Sequence, residues 1–272
     1  MKFLLCLSLS LIALFAEGNG CFVDENSQNI IFVKDGETKS LGLKEKIYKD
    51  QRCAFDESSF YVANLNNEIV KVASEKEFLF ALPNVGCKVS NILLDKDKIY
   101  VACDMANVVT IAIFDKSSKK FISKNFNNVY KISSFLPLGE GAFFTSFNGK
   151  AFLLDSKLNA KEQKSVGFAP ISACKFSDDE IFIGFRNGEI LDLKSGAKKQ
   201  VLRSKISALA CVGDEVLVAS EDGVIYKFDK SFKLKGKKEL FSGEIKEIFI
   251  DKNVLVGVDL GNKTKSLEIN SF

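Results

Sequence analysis

The chain of 272 residues has no histidine and no tryptophan, and it has only three prolines. The lack of histidine removes the commonest general base, every histidine-dependent catalytic triad and a usual ligand of catalytic zinc. It also removes c-type haem attachment, whose motif ends in histidine, and no Cys-x-x-Cys motif occurs. We therefore expect a protein that is not an enzyme and that holds no cofactor.

Other chemical motifs are also missing. There is no glycine-rich phosphate loop and no calcium loop of the Asp-x-Asp-x-Asp-Gly type, although Asp95 to Lys98 comes closest. Two carboxylate clusters could serve hydrolysis, one at Asp178 to Glu180 and one at Glu221 and Asp222. All three segments have acidic or turn-forming counterparts elsewhere in the chain, so turn formation explains them without catalysis.

The net charge is small. The chain carries 38 basic and 35 acidic residues, a formal excess of +3. A nucleic-acid-binding protein would show a basic stripe and a larger excess. Short lysine clusters, such as Lys119 with Lys120 and Lys235 to Lys238, are typical of solvated loops.

The N-terminus has the pattern of an export signal. Lys2 precedes the apolar run Phe3 to Phe15, which is followed by small residues and is too short to span a membrane. We predict a signal peptide over residues 1–16, with cleavage as late as residue 20, and one domain over 17–272. The mature chain would be periplasmic, without a membrane span. A lipid anchor at Cys21 is the alternative, but Gly18 stands where an acylation signal has leucine.

A hairpin recurs seven times along the chain, and it is clearest in LVASEDGVIYKFD at residues 217–229. Each copy is an apolar strand, a turn and a second apolar strand. Successive turn residues lie 31 to 42 positions apart, at Gly36, Asn67, Asn107, Gly149, Gly188, Gly223 and Asn262. Asparagine and glycine tolerate the positive φ of a tight hairpin. A period near 40 with two turn-linked strands per unit is typical of β-propeller blades.

The fold class predicted is all-β, a seven-bladed β-propeller with four-stranded antiparallel blades. Ile132, Ile171, Ile206 and Ile245 each precede their turn residue by 17, which indicates first strands of fixed length and register. Fourth strands are expected to be polar and variable, because they lie at the outer edge. The last unit ends after its third strand, so we expect the segment Cys21 to Asp24 to supply the missing strand and close the ring.

Six cysteines remain once the signal removes Cys6, and they allow fifteen complete pairings. The repeat places Cys53, Cys174 and Cys211 on equivalent first strands. Cys103 falls where most other blades carry a small residue, which favours a small core residue. A thiolate metal site formed by Cys53, Cys174 and Cys211 is an alternative. The pairing of Cys21, Cys53, Cys87, Cys103, Cys174 and Cys211 stays open at this point.

The hairpins resemble WD40-type repeats. Phe228 and Asp229 stand where that family has Trp-Asp, as do Leu154 and Asp155, while Phe114 and Asp115 fall two residues later. Other blades depart from the pattern, as at Leu193 and Lys194. The family's Gly-His dipeptide is absent throughout. The resemblance implies a divergent WD40-like propeller over nearly the whole mature chain.

The hairpin tips are the candidate binding site, because propellers without an active site usually work through rim loops. The position two before each turn residue varies widely and is often apolar. These candidate residues are Lys34, Leu65, Met105, Phe147, Arg186, Glu221 and Leu260. Apolar, aromatic and arginine side chains at exposed tips are typical of protein interfaces. The alternative is that the tips pack against neighbouring loops.

Exported state, size, and lysine- and phenylalanine-rich composition make the chain similar to the periplasmic nitrate reductase accessory family NapL. That resemblance implies a protein-binding assembly factor, monomeric, with reductase subunits as partners. One alternative is an outer-membrane assembly scaffold similar to BamB, against which the weak acylation signal and lack of tryptophan count. Another is a periplasmic hydrolase or lactonase.

Overall fold

Antiparallel strands make up almost all of the regular structure in the computed structural model. It describes residues 21–272 except 25–28, 36, 44–46, 48–50, 57, 84–85, 140 and 168. The predicted export signal lies outside the described residues. In the part of the chain that is described, no helix is long and apolar enough to cross a membrane.

The strands fall into seven sheets in chain order. The first blade consists of β1 Cys21–Val23, β2 Asn29–Lys34 and β3 Glu37–Gly42. The second blade consists of β4 Ala54–Phe55, β5 Phe60–Ala63, β6 Glu68–Val72 and β7 Lys76–Ala81. The third consists of β8 Lys88–Asp95, β9 Lys98–Met105, β10 Val108–Asp115 and β11 Lys120–Asn127. The fourth blade consists of β12 Ile132–Leu138, β13 Gly141–Ser146, β14 Lys150–Leu154 and β15 Ala160–Ser165. The fifth consists of β16 Pro170–Ser177, β17 Glu180–Phe185, β18 Glu189–Asp192 and β19 Lys198–Gln200. The sixth blade consists of β20 Ile206–Val212, β21 Glu215–Ser220, β22 Val224–Asp229 and β23 Leu234–Glu239. The seventh consists of β24 Ile245–Asp251, β25 Val254–Asp259 and β26 Thr264–Glu268, and a short 3₁₀ turn, Ile269–Ser271, follows it.

The predicted seven-bladed β-propeller is confirmed. Within each blade, every strand pairs antiparallel with the next along the chain. The first strands of the blades, with Arg52 and Cys53 directly before β4, surround a central channel. Among the described residues, five sheets have four strands and the first and last have three. The hairpin repeat therefore corresponds to the second and third strands of each blade.

The core is divided into seven apolar clusters within the described chain, each between two neighbouring blades. Phenylalanine fills much of this space. Phe126 of the third blade packs edge-on against Phe144 of the fourth, with ring centroids 5.2 Å apart. Full burial of one such side chain contributes about 2 kcal/mol. The second strands are covered on both faces by neighbouring blades, which explains why their apolar runs are nearly continuous.

The expected mode of ring closure is wrong. β1 pairs with β2, Cys21 opposite Phe32, so it is the first strand of the first blade and not a fourth strand of the last. Among the described residues, the ring closes through side-chain contacts instead. Phe22 stacks on Phe249 of β24, with centroids 6.3 Å apart, and the side-chain amide of Asn262 donates to Asp24 over 2.8 Å. Both ends of the chain contribute to one apolar cluster, which covers the faces that an open ring would expose.

The fixed register of the first strands holds in three of the four predicted blades. Ile132, Ile206 and Ile245 each pair with the residue three before the turn residue, and a β-bulge follows each of them. In the fifth blade Pro170 takes that place, and Ile171 is half-buried. A second bulge, between Lys175 and Ser177, accounts for the one-residue shift.

A glutamine replaces missing backbone pairing in the second blade, where β4 has only two residues. The amide nitrogen of Gln51 donates to the carbonyl of Ala63, and its oxygen accepts the N–H of Ala63, both over 2.9 Å. The side chain is fully buried. A buried amide must be satisfied in this way, because an unpaired polar group in the core is costly.

All six cysteines of the described chain form disulfides: Cys21 with Cys53, Cys87 with Cys103, and Cys174 with Cys211. The predictions of an unpaired small core residue at Cys103 and of a thiolate metal site are therefore wrong. Two disulfides join neighbouring blades: Cys21 of β1 bonds to Cys53, directly before β4, and Cys174 of β16 bonds to Cys211 of β20. Converging inner strands bring these residues together, and three disulfides fit an oxidising compartment.

The aspartates at the Trp-Asp position hold the turns between third and fourth strands. A carboxylate oxygen of Asp229 accepts the backbone N–H of Ser231 over 3.0 Å and of Lys233 over 2.9 Å. Asp155 accepts the N–H of Asn159 over 2.7 Å in the same way. In the fifth blade Asp192 does this, two residues before the aligned Lys194. The structural role of the dipeptide's aspartate is thus turn capping.

Asp229→Asn is expected to lower stability at pH 6 but to have little effect near pH 2. Hydrogen bonds from Ser231 and Lys233 lower the pKa of Asp229 to about 2, below the value of about 3.9 in an unfolded chain. The ionised carboxylate therefore stabilises the fold above the unfolded pKa, and this contribution is lost as the pH falls through the folded pKa. Thermal midpoints of both proteins from pH 6 to pH 2 should converge at the acid end. A difference that stays constant with pH would contradict this role.

Candidate functional site

The hairpin tips and the connections between blades lie on one face of the disc, which we call the tip face. In five blades, an apolar residue follows the fourth strand, and its backbone N–H donates to the carbonyl of the turn residue over 2.9 to 3.1 Å. These donors are Leu82, Val129, Val166, Leu202 and Leu240, all of them buried. Sequence reasoning missed them, because their distance from the turn changes with the length of the fourth strand.

A polar residue three positions before the turn residue fixes several tips. Asn64 accepts the N–H groups of Asn66 and Glu68 over 2.9 and 3.1 Å, and Asp259 accepts those of Gly261 and Lys263 over 2.8 Å each. Ser146 and Ser220 hold the corresponding place and bond within their own tips. The tips are therefore a rigid frame, and this repeated polar position is a signal that the sequence contains.

Six of the seven predicted tip residues are exposed. Leu260 is 66% exposed, Leu65 49% and Met105 37%, and the charged members Lys34, Arg186 and Glu221 are also exposed. Phe147 is half-buried, with the ammonium of Lys131 5.6 Å from its ring centroid. The tip face thus presents large apolar side chains at separate points around the ring.

At the junction of the third and fourth blades, the tip residues Met105 and Phe147 flank two residues of the connection. We call this group the aromatic corner: Met105, Tyr130, Lys131 and Phe147. The backbone N–H of Phe147 donates to the carbonyl of Lys131 over 3.1 Å, which ties the tip to the connection. Tyr130 lies in that connection and is 55% exposed. Sequence reasoning overlooked it, because only tip positions were aligned.

A half-buried carboxylate supports the aromatic corner from below. Asp104 precedes Met105 and accepts the backbone N–H of Ile132 over 2.8 Å. Burial raises the pKa of Asp104, while the hydrogen bond from Ile132 opposes that rise. The carboxylate joins the third blade to the first strand of the fourth, so its role is to position the two sides of the corner.

Glu221 has a local structural role. Its carboxylate accepts the backbone N–H of Lys205 over 3.1 Å, and the Lys205 ammonium forms an ion pair with Glu244. This charged chain links the tip of the sixth blade to the connections on both sides. Here the alternative of tips packing against neighbouring loops applies.

The central channel is narrow, and its two cationic side chains, Arg52 and Lys175, are paired. The first strands enclose a cavity of about 70 Å³, lined mostly by apolar side chains such as Leu93, Phe135 and Ile248. Arg52 forms an ion pair with Glu247, with 3.2 Å between Nε and Oε2. The ammonium of Lys175 bonds to the Pro137 carbonyl and lies 2.9 Å from Asp178. A cavity of this size is far below the roughly 300–1,000 Å³ of small-molecule sites.

The carboxylates singled out as hydrolytic candidates lie in turns, except Glu180, which begins β17. Asp178 pairs with Lys175, and Glu180 lies 3.3 Å from the ammonium of Lys230. Asp222 bonds to the hydroxyl of Ser220 within its own tip. Among the described residues, no three or more histidine, cysteine, aspartate or glutamate side chains are grouped as metal ligands would be.

Comparison with known proteins identifies the fold alone. No family model matches the sequence, and no curated protein matches it. Among solved structures, the crystal structure of the computationally designed Ika8 protein is similar, with a TM-score of 0.65 and 13% sequence identity over 89% of this chain and 80% of that chain. In all, 950 solved chains match this structure significantly, so the architecture is widely shared. The functional argument therefore depends on the tip face and not on the fold.

Proposed function

We propose that this propeller is a non-enzymatic, exported accessory factor that binds a protein partner on its tip face. The observation that carries the proposal is the set of exposed apolar side chains on the hydrogen-bonded tips, above all Leu260, Leu65 and the aromatic corner. Rigid presentation lowers the entropic cost of binding. Aromatic side chains, methionine and arginine are enriched at the centres of protein interfaces.

The compartment proposed is the periplasm. The three disulfides support export, because such bonds persist in oxidising compartments. The bond between Cys21 and Cys53 occupies the thiol that a lipid anchor would need, which counts against an anchored scaffold. Assistance to a periplasmic nitrate reductase is the narrower proposal, and it rests on the family resemblance.

Photo-crosslinking tests the tip face directly. A benzoylphenylalanine placed at Met105 or at Leu260 should crosslink to a partner in the native periplasm. The same residue at Leu234, which is 49% exposed on an outer strand, is the matched control. Mass spectrometry of the products identifies the partner, and crosslinks at Leu234 alone would contradict the proposal. Reductase subunits among the products would support the narrower role, and other partners would contradict it.

The double substitution of Phe147→Ala and Arg186→Ala should remove most of the crosslinking at Met105. Its cost in stability should be about 1 kcal/mol, because the half-buried Phe147 ring loses chiefly its contact with the Lys131 ammonium. Thermal unfolding of the purified variant checks that the fold is kept. Undiminished crosslinking in the folded variant would exclude these two residues from the binding surface.

A further inference from the structure

The outer edges of the blades differ in how they are protected against pairing with other chains. A fourth strand leaves its outer backbone groups available to another strand. In the fourth, fifth and sixth blades these strands read AKEQKS, KKQ and LKGKKE, and they are exposed or half-buried throughout. Lysine on an edge disfavours the addition of a further strand. The lysine clusters of the sequence are therefore explained in part as edge protection, and not only as loops.

The fourth strand of the third blade departs from this pattern. β11 has eight residues, more than any other fourth strand among the described residues. Phe121 and Ile122, near its start, are 42% and 40% exposed. On the fourth strand of the neighbouring blade, β7, Phe78 is 57% exposed. Two adjacent outer strands thus present large apolar side chains, although β11 also carries Lys120 and Lys124 and β7 carries Lys76.

A groove lies beside Phe78, at the outer end of the junction between the second and third blades. Phe121 is on this face of β11, whereas Ile122, which pairs with Ile113, is on the face toward the fourth blade. Tyr61, Phe78, Leu79 and Phe114 line the groove, and its volume is about 230 Å³. The Phe80 ring stacks between Phe114 and Phe121, with centroids 5.1 and 5.2 Å away, so this end of the junction is rigid. The volume is below the usual range of small-molecule pockets and suits the side chains of a peptide.

The surroundings of the groove are basic. Residues 115–124 contain four lysines and one aspartate, and Asp115 is engaged by the backbone N–H of Ser118 over 2.8 Å. Lys116 and Lys119 line the groove itself, together with Lys71 and Glu77, whose charged groups lie 4.0 Å apart. Two copies of this edge would bring like charges together, whereas an acidic segment would be attracted.

We propose that β11 and the adjoining groove form a docking edge for an extended acidic segment of a partner protein, which adds to the third blade as a fifth strand. Main-chain hydrogen bonds to the edge would supply affinity. Alternate side chains on one face of the segment would enter the groove, and an apolar side chain on its other face would cover Ile122. Acidic side chains of the segment would face Lys116 and Lys119. The proposal concerns a surface separate from the tip face and does not depend on the proposed function.

Selection from a phage-displayed library of random twelve-residue peptides tests the docking edge. Peptides that bind the whole protein should combine acidic residues with alternating apolar residues, and fluorescence anisotropy then measures their affinity. Ile122→Lys, which replaces an exposed apolar side chain of this edge with a further charge, should weaken binding at least tenfold. The matched control is Leu234→Lys on the outer strand of the sixth blade, which should leave the affinity unchanged.

Other outcomes would overturn the docking edge. The first is that the selected peptides are basic. The second is that they bind the Ile122→Lys and wild-type proteins equally. The third is that Ile122→Lys and Leu234→Lys weaken their binding equally. A proline at the centre of a selected peptide should abolish binding, because proline cannot pair along a strand, and retained binding would exclude strand addition. Concentration-dependent dimerisation that Ile122→Lys prevents would assign the edge to a second copy instead.

Discussion

Gly223→Ala is expected to destabilise the protein by about 3 kcal/mol, a large part of the stability of an ordinary domain. Gly223 is the turn residue of the sixth blade and has a φ of +83°. An added Cβ would lie 2.0 Å from the carbonyl oxygen of Phe241 and 2.7 Å from that of Gly243. The carbonyl of Gly223 also accepts the N–H groups of Leu240 and Phe241. The connection to the seventh blade would have to move away from the tip.

Gly196→Ala is the matched control for this substitution. Gly196 also has a positive φ, +73°, but no atom lies within 4 Å of an added Cβ. We expect it to cost about 1 kcal/mol, the cost of the left-handed backbone alone. Denaturant unfolding of both variants checks the difference. Equal destabilisation would mean that the tip and the connection are not tightly packed, and the tip face would lose its rigid frame.

The spacing of turn residues was sufficient to predict the blades, because each hairpin is a local structure. Asn67 and Asn262 have φ values of +60° and +62°, and Gly188 has +85°, which is the conformation that their residue types indicated. Local periodicity also placed the second and third strands. The repeat spacing gives the order of the blades along the chain. It carries no information on contacts between residues that are far apart in sequence.

Ring closure and disulfide pairing could not be derived for that reason. Phe22 and Phe249 are far apart in sequence, and no repeat relates them. The cysteine spacings placed Cys174 and Cys211 on comparable strands, but not the distance between those strands. The fifth and sixth blades are neighbours whose first strands converge on the channel, which brings the two Cα atoms to 5.5 Å.

The candidate site was predicted in part. Alignment on the turn residues found exposed tips such as Leu260, since a tip's exposure follows from its place in the hairpin. It could not show that Lys131 covers Phe147 or that Tyr130 lies beside it, because both belong to a connection of irregular length. The exposed edge at Ile122 was also missed, because outer strands vary in length and lack a repeated position.

Phe249→Ala is expected to have the largest effect, about 4 kcal/mol of lost stability, because it truncates a buried aromatic side chain at the closure of the ring. Phe249 is 5% exposed and lies against Phe22 and the guanidinium of Arg52, which is 6.0 Å from the ring centroid. The cluster at this junction has five buried members, fewer than any other in the described chain. The loss should therefore open the ring locally, with faster hydrogen exchange in β1, β2 and β24–β26.

Phe135→Ala separates local opening from general destabilisation. Phe135 lies on the first strand of the fourth blade, is 1% exposed and belongs to a cluster of fifteen buried residues. Its truncation should cost a similar free energy, but the faster exchange should not be confined to the first and last blades. Hydrogen exchange followed by mass spectrometry distinguishes the two patterns. If Phe249→Ala gave the same pattern as Phe135→Ala, the junction between the chain ends would be no weaker than the others, and side-chain closure would hold this ring as firmly as its continuous blades.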